Sequence, residues 1–407
     1  MDPSHPTSPR ETAGGPARAV IYSGVVLSGM LTTLLGPLLP VFSARWALAD
    51  AQAGYFFTAQ FAGSMTGAVL SGLLLPRRGF RVSLVLGFAL IAAGAAVLGM
   101  GNWAGGLLAV FGYGIGLGFT IACTNLWVSE SNPGRRSAAL NILNFAWGGG
   151  AVVSPFLFAV LQRAGHGEAM LRALAAAFVL VAILQAIIPF PEPKREREET
   201  SSSAPRPGVW SIRFGPALGA LFFLYVGTET ALGGWVASFA KRVSGGPGTL
   251  WALAPSFFWG ALLLGRALAP VVLRYVTEAR IVLGGLALAS LGGVALLSAT
   301  SLAAVLAWAT LAGFGFSAVF PILVAWISHA FGAAAARLAG RMFAMGALGG
   351  ATLPWLVGYL STEFGGLKAG LVAPLLGGLI MIALLLFSPP PVAKTKTNSA
   401  SSPEPIR

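Results

Sequence analysis

The sequence predicts an all-α integral membrane protein, with twelve transmembrane helices in two six-helix pseudo-symmetric bundles. Three observations carry this. Of 407 residues, 56% are hydrophobic and 10% charged, whereas soluble domains carry about 25% charged residues. Apolar runs of about 20 residues, the length that crosses the hydrocarbon core, recur along nearly the whole chain. Short motifs in the first half return in the second, about 200 residues later.

Taken in order, residues 1–17 hold Pro, Ser, Gly and two acids without an apolar run, and read as a cytoplasmic tail rather than a cleaved signal peptide. The runs, broken at charge, Pro or Gly clusters, predict spans at 18–41, 51–74, 83–100, 104–128, 138–161 and 170–190. A second set follows at 213–239, 249–271, 280–299, 302–328, 338–360 and 367–387. The one long polar connection starts at Pro191-Glu192-Pro193-Lys194-Arg195-Glu196. It reads as a solvated linker, 191–211, between an N-terminal bundle over 18–190 and a C-terminal bundle over 212–388, with a second tail over 389–407.

Orientation follows from the basic residues. Of 26 Lys and Arg, all but seven fall on one side of the predicted bilayer; Arg45, Arg163, Arg172, Lys241, Arg242 and Lys368 fall on the other, and Arg266 lies inside a span. The positive-inside rule then places both termini in the cytoplasm. A net charge of +13 is thereby explained as topology and contact with anionic lipid, not as nucleic-acid binding. Cys123 is the single cysteine, so no intrachain disulfide can form.

The repeat pairs Gly112-Tyr113-Gly114 with Gly313-Phe314-Gly315, Gly149-Gly150-Ala151 and Pro155 with Gly349-Gly350-Ala351 and Pro354, and Tyr22-Ser23-Gly24 with Tyr225-Val226-Gly227. Two six-helix repeats related about the membrane normal suit a transporter, because a central site between them opens to either side when one half rocks on the other. The small residues at Gly112, Gly114, Gly116, Gly118 and Gly148 read as close helix packing rather than a nucleotide loop.

The connection after the second span, Gly72-Leu73-Leu74-Leu75-Pro76-Arg77-Arg78-Gly79-Phe80-Arg81, resembles the Gly-x-x-x-Asp-Arg-x-Gly-Arg-Arg signature of the major facilitator superfamily. It departs at Pro76, where the aspartate is expected, and at Phe80. Within that superfamily, Tyr225 to Glu229 with Gly233-Gly234-Trp235, Leu140-Asn141-x-x-Asn144-x-x-Trp147, and Phe320-Pro321 are similar to motifs of the fucose–glucose–galactose permease group. The resemblance implies a bacterial inner-membrane symporter for a monosaccharide. Proton-coupled members of that group use acids in the first and fourth spans; here the first span has none and the fourth has only Glu130 at its end. A proton-coupled, sodium-coupled or uncoupled cycle therefore all remain open.

Of 13 acids, only Glu229 falls near mid-membrane, roughly 18 Å from the outer end of its helix at 1.5 Å per residue. An ionisable group there costs at least ~2.5–3.5 kcal/mol and is a functional-site hypothesis by default. Glu229 and the neighbouring Thr228 are expected to contact substrate, with Glu229 as the coupling candidate. A ring of hydroxyls asks for amides, supplied by Gln60, Asn125, Asn141 and Asn144; the apolar sugar face asks for aromatic planes, supplied by Trp147, Trp235, Trp259, Phe320 and Trp326. Asn141, Asn144 and Trp147 share a helix face. Arg77, Arg81, Glu130, Arg135, Arg136 and Arg266 are expected to form a cytoplasmic gate; for Arg266 the alternative is a place facing the cavity, where it would neutralise Glu229 or bind an anionic substrate. The three histidines, His5, His166 and His329, have no metal partners at ligand spacing and cannot build a nucleophilic triad, so neither a metal, an organic cofactor nor an enzyme is expected. The sequence thus points to a monomeric carrier taking up a small neutral polar solute. An efflux carrier of amphipathic drugs or lipids is one alternative, and a non-transporting membrane receptor or scaffold another.

Overall fold

A single apolar segment in lipid can satisfy its own backbone only by forming helix, and the chain does so over most of the predicted spans. The computed structural model describes residues 14–190, 214–246, 248–332 and 335–390. The predicted linker 191–211 and the tails, apart from 14–17 and 389–390, lie outside them. The first half contains α1 (Gly14–Trp46), α2 (Asp50–Val97), α3 (Trp103–Ser131), α4 (Arg136–Arg163) and α5 (Ala169–Ile187). The second contains α6 (Gly215–Ser244), α7 (Ala254–Val272), α8 (Glu278–Leu297), α9 (Leu302–Phe316), α10 (Val319–Phe331), α11 (Ala335–Glu363), a short α12 (Leu367–Gly370) and α13 (Val372–Phe387).

Eleven described segments are long and apolar enough to cross a membrane. One of them, α2, has 48 residues, about 72 Å at 1.5 Å per residue, which is more than two bilayer cores. Gly79 breaks it with φ 75° and ψ 176°, just after Pro76. The chain therefore reverses there, and α2 supplies both the second and the third span of a twelve-span bundle. The tenth predicted span is continuous in composition, yet it is split at Ser317 and Ala318 into α9 and α10.

The two halves repeat each other's packing. In the first, α1 packs on α4 and α2 on α3; in the second, α6 packs on α11 and α7 on α9. The register of the repeat differs from the sequence pairing. A side chain at Gly114 would strike the Gln60 carbonyl of α2, and one at Gly313 the Phe258 carbonyl of α7. Gly116 and Gly315 likewise press on the Gly87 and Gly285 carbonyls. Gly114 thus matches Gly313, and Gly116 matches Gly315, because backbone contact rather than local sequence sets the equivalence.

The halves meet along α2 with α11, α4 with α7 and α1 with α6. Their bonds lie toward the face opposite the chain ends, called here the far face. Asp50 takes the Arg242 guanidinium and the Ser361 hydroxyl. Ala51 N donates to Thr362 Oγ1 at 2.9 Å, Thr58 Oγ1 to the Ala351 carbonyl at 2.7 Å, Ser256 Oγ to the Val152 carbonyl at 2.8 Å and Lys241 Nζ to the Pro40 carbonyl at 3.4 Å. Toward the termini face, Asn141 and Asn144 of α4 are exposed. The described bundle is closed at the far face and open toward its chain ends.

Candidate functional site

A cavity of about 150 Å³ lies among α1, α3 and α4, lined by Val25, Ser28, Thr120, Ile121, Thr124, Asn125, Leu143, Asn144 and Trp147. That is comparable to a cavity that takes a benzene-sized molecule. Spacing builds it: Thr120 and Thr124 lie four apart on α3, with Asn125 next to Thr124, and Asn144 and Trp147 lie three apart on α4. The hydroxyl protons of the wall are already committed. Ser28 Oγ donates to the Gly24 carbonyl at 2.8 Å, Thr120 Oγ1 to the Leu117 carbonyl at 3.0 Å and Thr124 Oγ1 to the Thr120 carbonyl at 2.6 Å. Asn125 Nδ2 reaches the Ile121 carbonyl at 2.7 Å. Their oxygens retain lone pairs, so this wall is rich in acceptors. The Trp147 ring meets Trp259 of the other half edge-on, centroids 5.9 Å apart, where α4 and α7 cross.

The expected site residues divide accordingly. Asn125, Asn144 and Trp147 come together on the cavity, and Trp259 closes against it. Asn141 is exposed one turn nearer the termini face. Gln60 is buried, and its Oε1 accepts from the Tyr113 hydroxyl at 2.8 Å, which joins α2 to α3 instead of facing the cavity. Trp235 is sealed in packing and donates from Nε1 to the Pro354 carbonyl at 2.8 Å, leaving no open ring face. Trp326 is likewise buried, its Nε1 donating to Glu278 Oε2 at 2.7 Å. Thr228 turns its buried hydroxyl toward Gly377 of α13 and has no hydrogen-bond partner among the described residues. Phe320 lies in an aromatic cluster, stacked on Tyr225 with centroids 5.8 Å apart.

Glu229 is 8% exposed and belongs to the second half. Its Oε1 accepts from the Tyr225 hydroxyl at 2.7 Å and from Arg266 Nη2 at 3.2 Å. Of its two expected placements, Arg266 takes the inward one and pairs with this carboxylate rather than standing at the cytoplasmic gate, because pairing neutralises both charges where lipid would penalise either. Arg81 Nη2 donates to the Ile188 carbonyl at 2.6 Å and satisfies the end of α5, on the face that is open in this conformation. Arg77, Arg135 and Arg136 are exposed at the termini face, and Glu130 is half-buried there. Among the described residues, the ion pair that joins the two halves is at the far face, between Asp50 and Arg242.

Sequence reasoning missed Ser28, Thr120 and Thr124 as wall residues. Their spacing was readable, but a membrane-helix hydroxyl usually bonds its own backbone, so the residue type alone carries no signal.

Comparison with known proteins agrees with this architecture. Residues 21–284 match the Major Facilitator Superfamily model. A glucose/galactose transporter of Brucella abortus is 26% identical over 370 residues, covering 83% of this chain and 85% of its own. A bacterial homologue of the human lysosomal transporter Spinster, in an inward-facing and unoccupied conformation, superposes with a TM-score of 0.74 at 16% identity, covering 94% of this chain and 97% of its own. The transporter FucP in its outward conformation gives 0.60 at 19% identity, covering 91% and 97%. With its twelve spans, its two matching halves and a family match across most of the described chain, the protein belongs to the major facilitator superfamily of membrane transporters, which are not enzymes.

Proposed function

We propose that this transporter carries a small, neutral, polyhydroxylated solute, a monosaccharide, into the cell by alternating access as a monomer. The observation that carries the reading is the acceptor-rich wall of the cavity. Ser28, Thr120 and Thr124 have given their protons to helix carbonyls, so a solute bringing many O–H donors complements them. Asn125 and Asn144 can add both donors and acceptors, and Trp147 offers a plane for the C–H face of a sugar ring. The similarity to a protein named glucose/galactose transporter supports the same solute class. The excess of Lys and Arg at the termini face supports a cytoplasmic location for both chain ends in a bacterial inner membrane. On that orientation the described conformation is inward-open.

The rival is an efflux carrier of amphipathic compounds, favoured by Val25, Ile121 and Leu143 on the same wall. Counterflow in proteoliposomes separates the two. Vesicles preloaded with unlabelled D-glucose or D-galactose are expected to draw in the labelled sugar transiently. Absence of counterflow with both sugars, together with extrusion of an amphipathic dye, overturns the sugar reading.

A further inference from the structure

We infer that Arg266 is a built-in counter-cation that keeps Glu229 charged and paired through the transport cycle, so that Glu229 is not a site for a coupling proton or sodium ion. The inference rests on the transport reading above only for its consequence, a carrier whose sole mid-membrane acid needs no external cation.

The tenth span is broken beside this pair. Where α9 ends at Phe316 and α10 begins at Val319, backbone carbonyls lose their helical partners at membrane depth and must be satisfied by something else. Arg266 Nε donates to the Ser317 carbonyl at 3.3 Å while its Nη2 holds Glu229. Tyr225 stands in the same relation, its hydroxyl 3.1 Å from the Phe316 carbonyl and 2.7 Å from Glu229. Both partners of the carboxylate therefore also secure the broken helix. Removing Glu229's charge would loosen the two groups that hold the break.

All of these groups belong to one half. A coupling carboxylate must meet its cation from one side of the membrane and release it to the other, so its surroundings have to change as the halves rock. Glu229 is neutralised from within its own bundle, by a neighbouring helix that rocks with it. Among the described residues, no other titratable group faces it. Besides Tyr225 and Arg266, the stretches of α1, α2, α11 and α13 at this level, 27–36, 57–66, 346–353 and 374–381, contain no titratable side chain. Nor do 255–265 of α7 or 309–323 across α9 and α10.

The test is melting of the purified full-length protein in detergent, in mildly acidic and mildly alkaline buffer, with and without sodium. The wild type is expected to melt alike in all of these. Arg266→Gln strands the carboxylate, so its melting temperature should fall by several degrees in alkali and recover in acid, where Glu229 can take a proton. Adding Glu229→Gln should remove that dependence and recover, in alkali, part of the stability that Arg266→Gln loses; the remaining loss, from the Ser317 carbonyl, is the same in acid and alkali. Stabilisation of the wild type by acid or by sodium that Glu229→Gln abolishes would overturn the inference. So would a double variant no more stable in alkali than Arg266→Gln alone, or an Arg266→Gln protein indifferent to pH. Absence of sugar counterflow alongside the expected melting results would remove the solute assignment and leave the charge pairing supported.

Discussion

Asp50, at the start of α2, and Arg242, in the last turn of α6, meet across the seam between the two halves, with each carboxylate oxygen facing a different guanidinium nitrogen. Ser361 of α11 adds its hydroxyl to the same carboxylate. The family signature normally places charge at the opposite face, where this chain has Pro76 and where Arg81 is occupied with the end of α5. The charged fastening between the halves thus stands at the far face, and it favours the conformation open toward the chain ends.

Weakening that fastening should shift the conformational balance. Arg242 is 46% exposed and Asp50 11%, so the pair is worth no more than about 1 kcal/mol, or roughly fivefold in population. Asp50→Asn and Arg242→Gln should each slow alkylation of a cavity cysteine from the termini face by up to about that factor. The double variant should do little more than either single one. Unchanged labelling in all three would show that the pair does not bias the cycle.

Two adjacent glycines give a contrasting pair. A side chain at Gly150 would collide with the Val26 carbonyl where α4 crosses α1, whereas a Cβ on Gly149 would stand in open space, with no neighbouring atom within 4 Å. Gly150→Val should therefore cost about 1–3 kcal/mol through overpacking, read as a lowered melting temperature and a loss of monodisperse protein. Gly149→Val should melt as the wild type does. Equal behaviour of the two variants would contradict the packing described.

Gln60 and Asn144 are amides of different kinds. Gln60→Leu strands the buried Tyr113 hydroxyl and should cost about 1–3 kcal/mol of stability, with the sugar concentration giving half-maximal counterflow unchanged. Asn144→Ala, at an exposed position on the cavity, should leave stability alone and raise that concentration severalfold. The reverse pattern would exchange their assignments.

Sequence carried the spans well, because the cost of exposing backbone to lipid makes length and apolarity nearly sufficient. It carried the break after Phe316 only through Pro321, which has no N–H for the Ser317 carbonyl; the partners that secure the break, Tyr225 and Arg266, are brought in by tertiary packing. Within the site, Asn144 and Trp147 were legible as one helix face. Gln60, Trp235 and Trp326 were not separable from them, because residue type does not say which neighbour a helix face meets. The Asp50 fastening was missed for a related reason: charges at span ends are explained equally well as topology.

If the cavity beside Asn144 receives the solute and opens toward the chain ends, a cysteine placed there must be reachable from that side and shielded by the solute. Asn144→Cys, in a background where Cys123 is replaced by Ser, tests this through alkylation by a membrane-impermeant maleimide in vesicles of each orientation. Labelling is expected in inside-out vesicles, slow in right-side-out ones, and retarded by D-glucose or D-galactose but not by L-glucose. Labelling that ignores both sugars, or that proceeds faster from the far face, would contradict it.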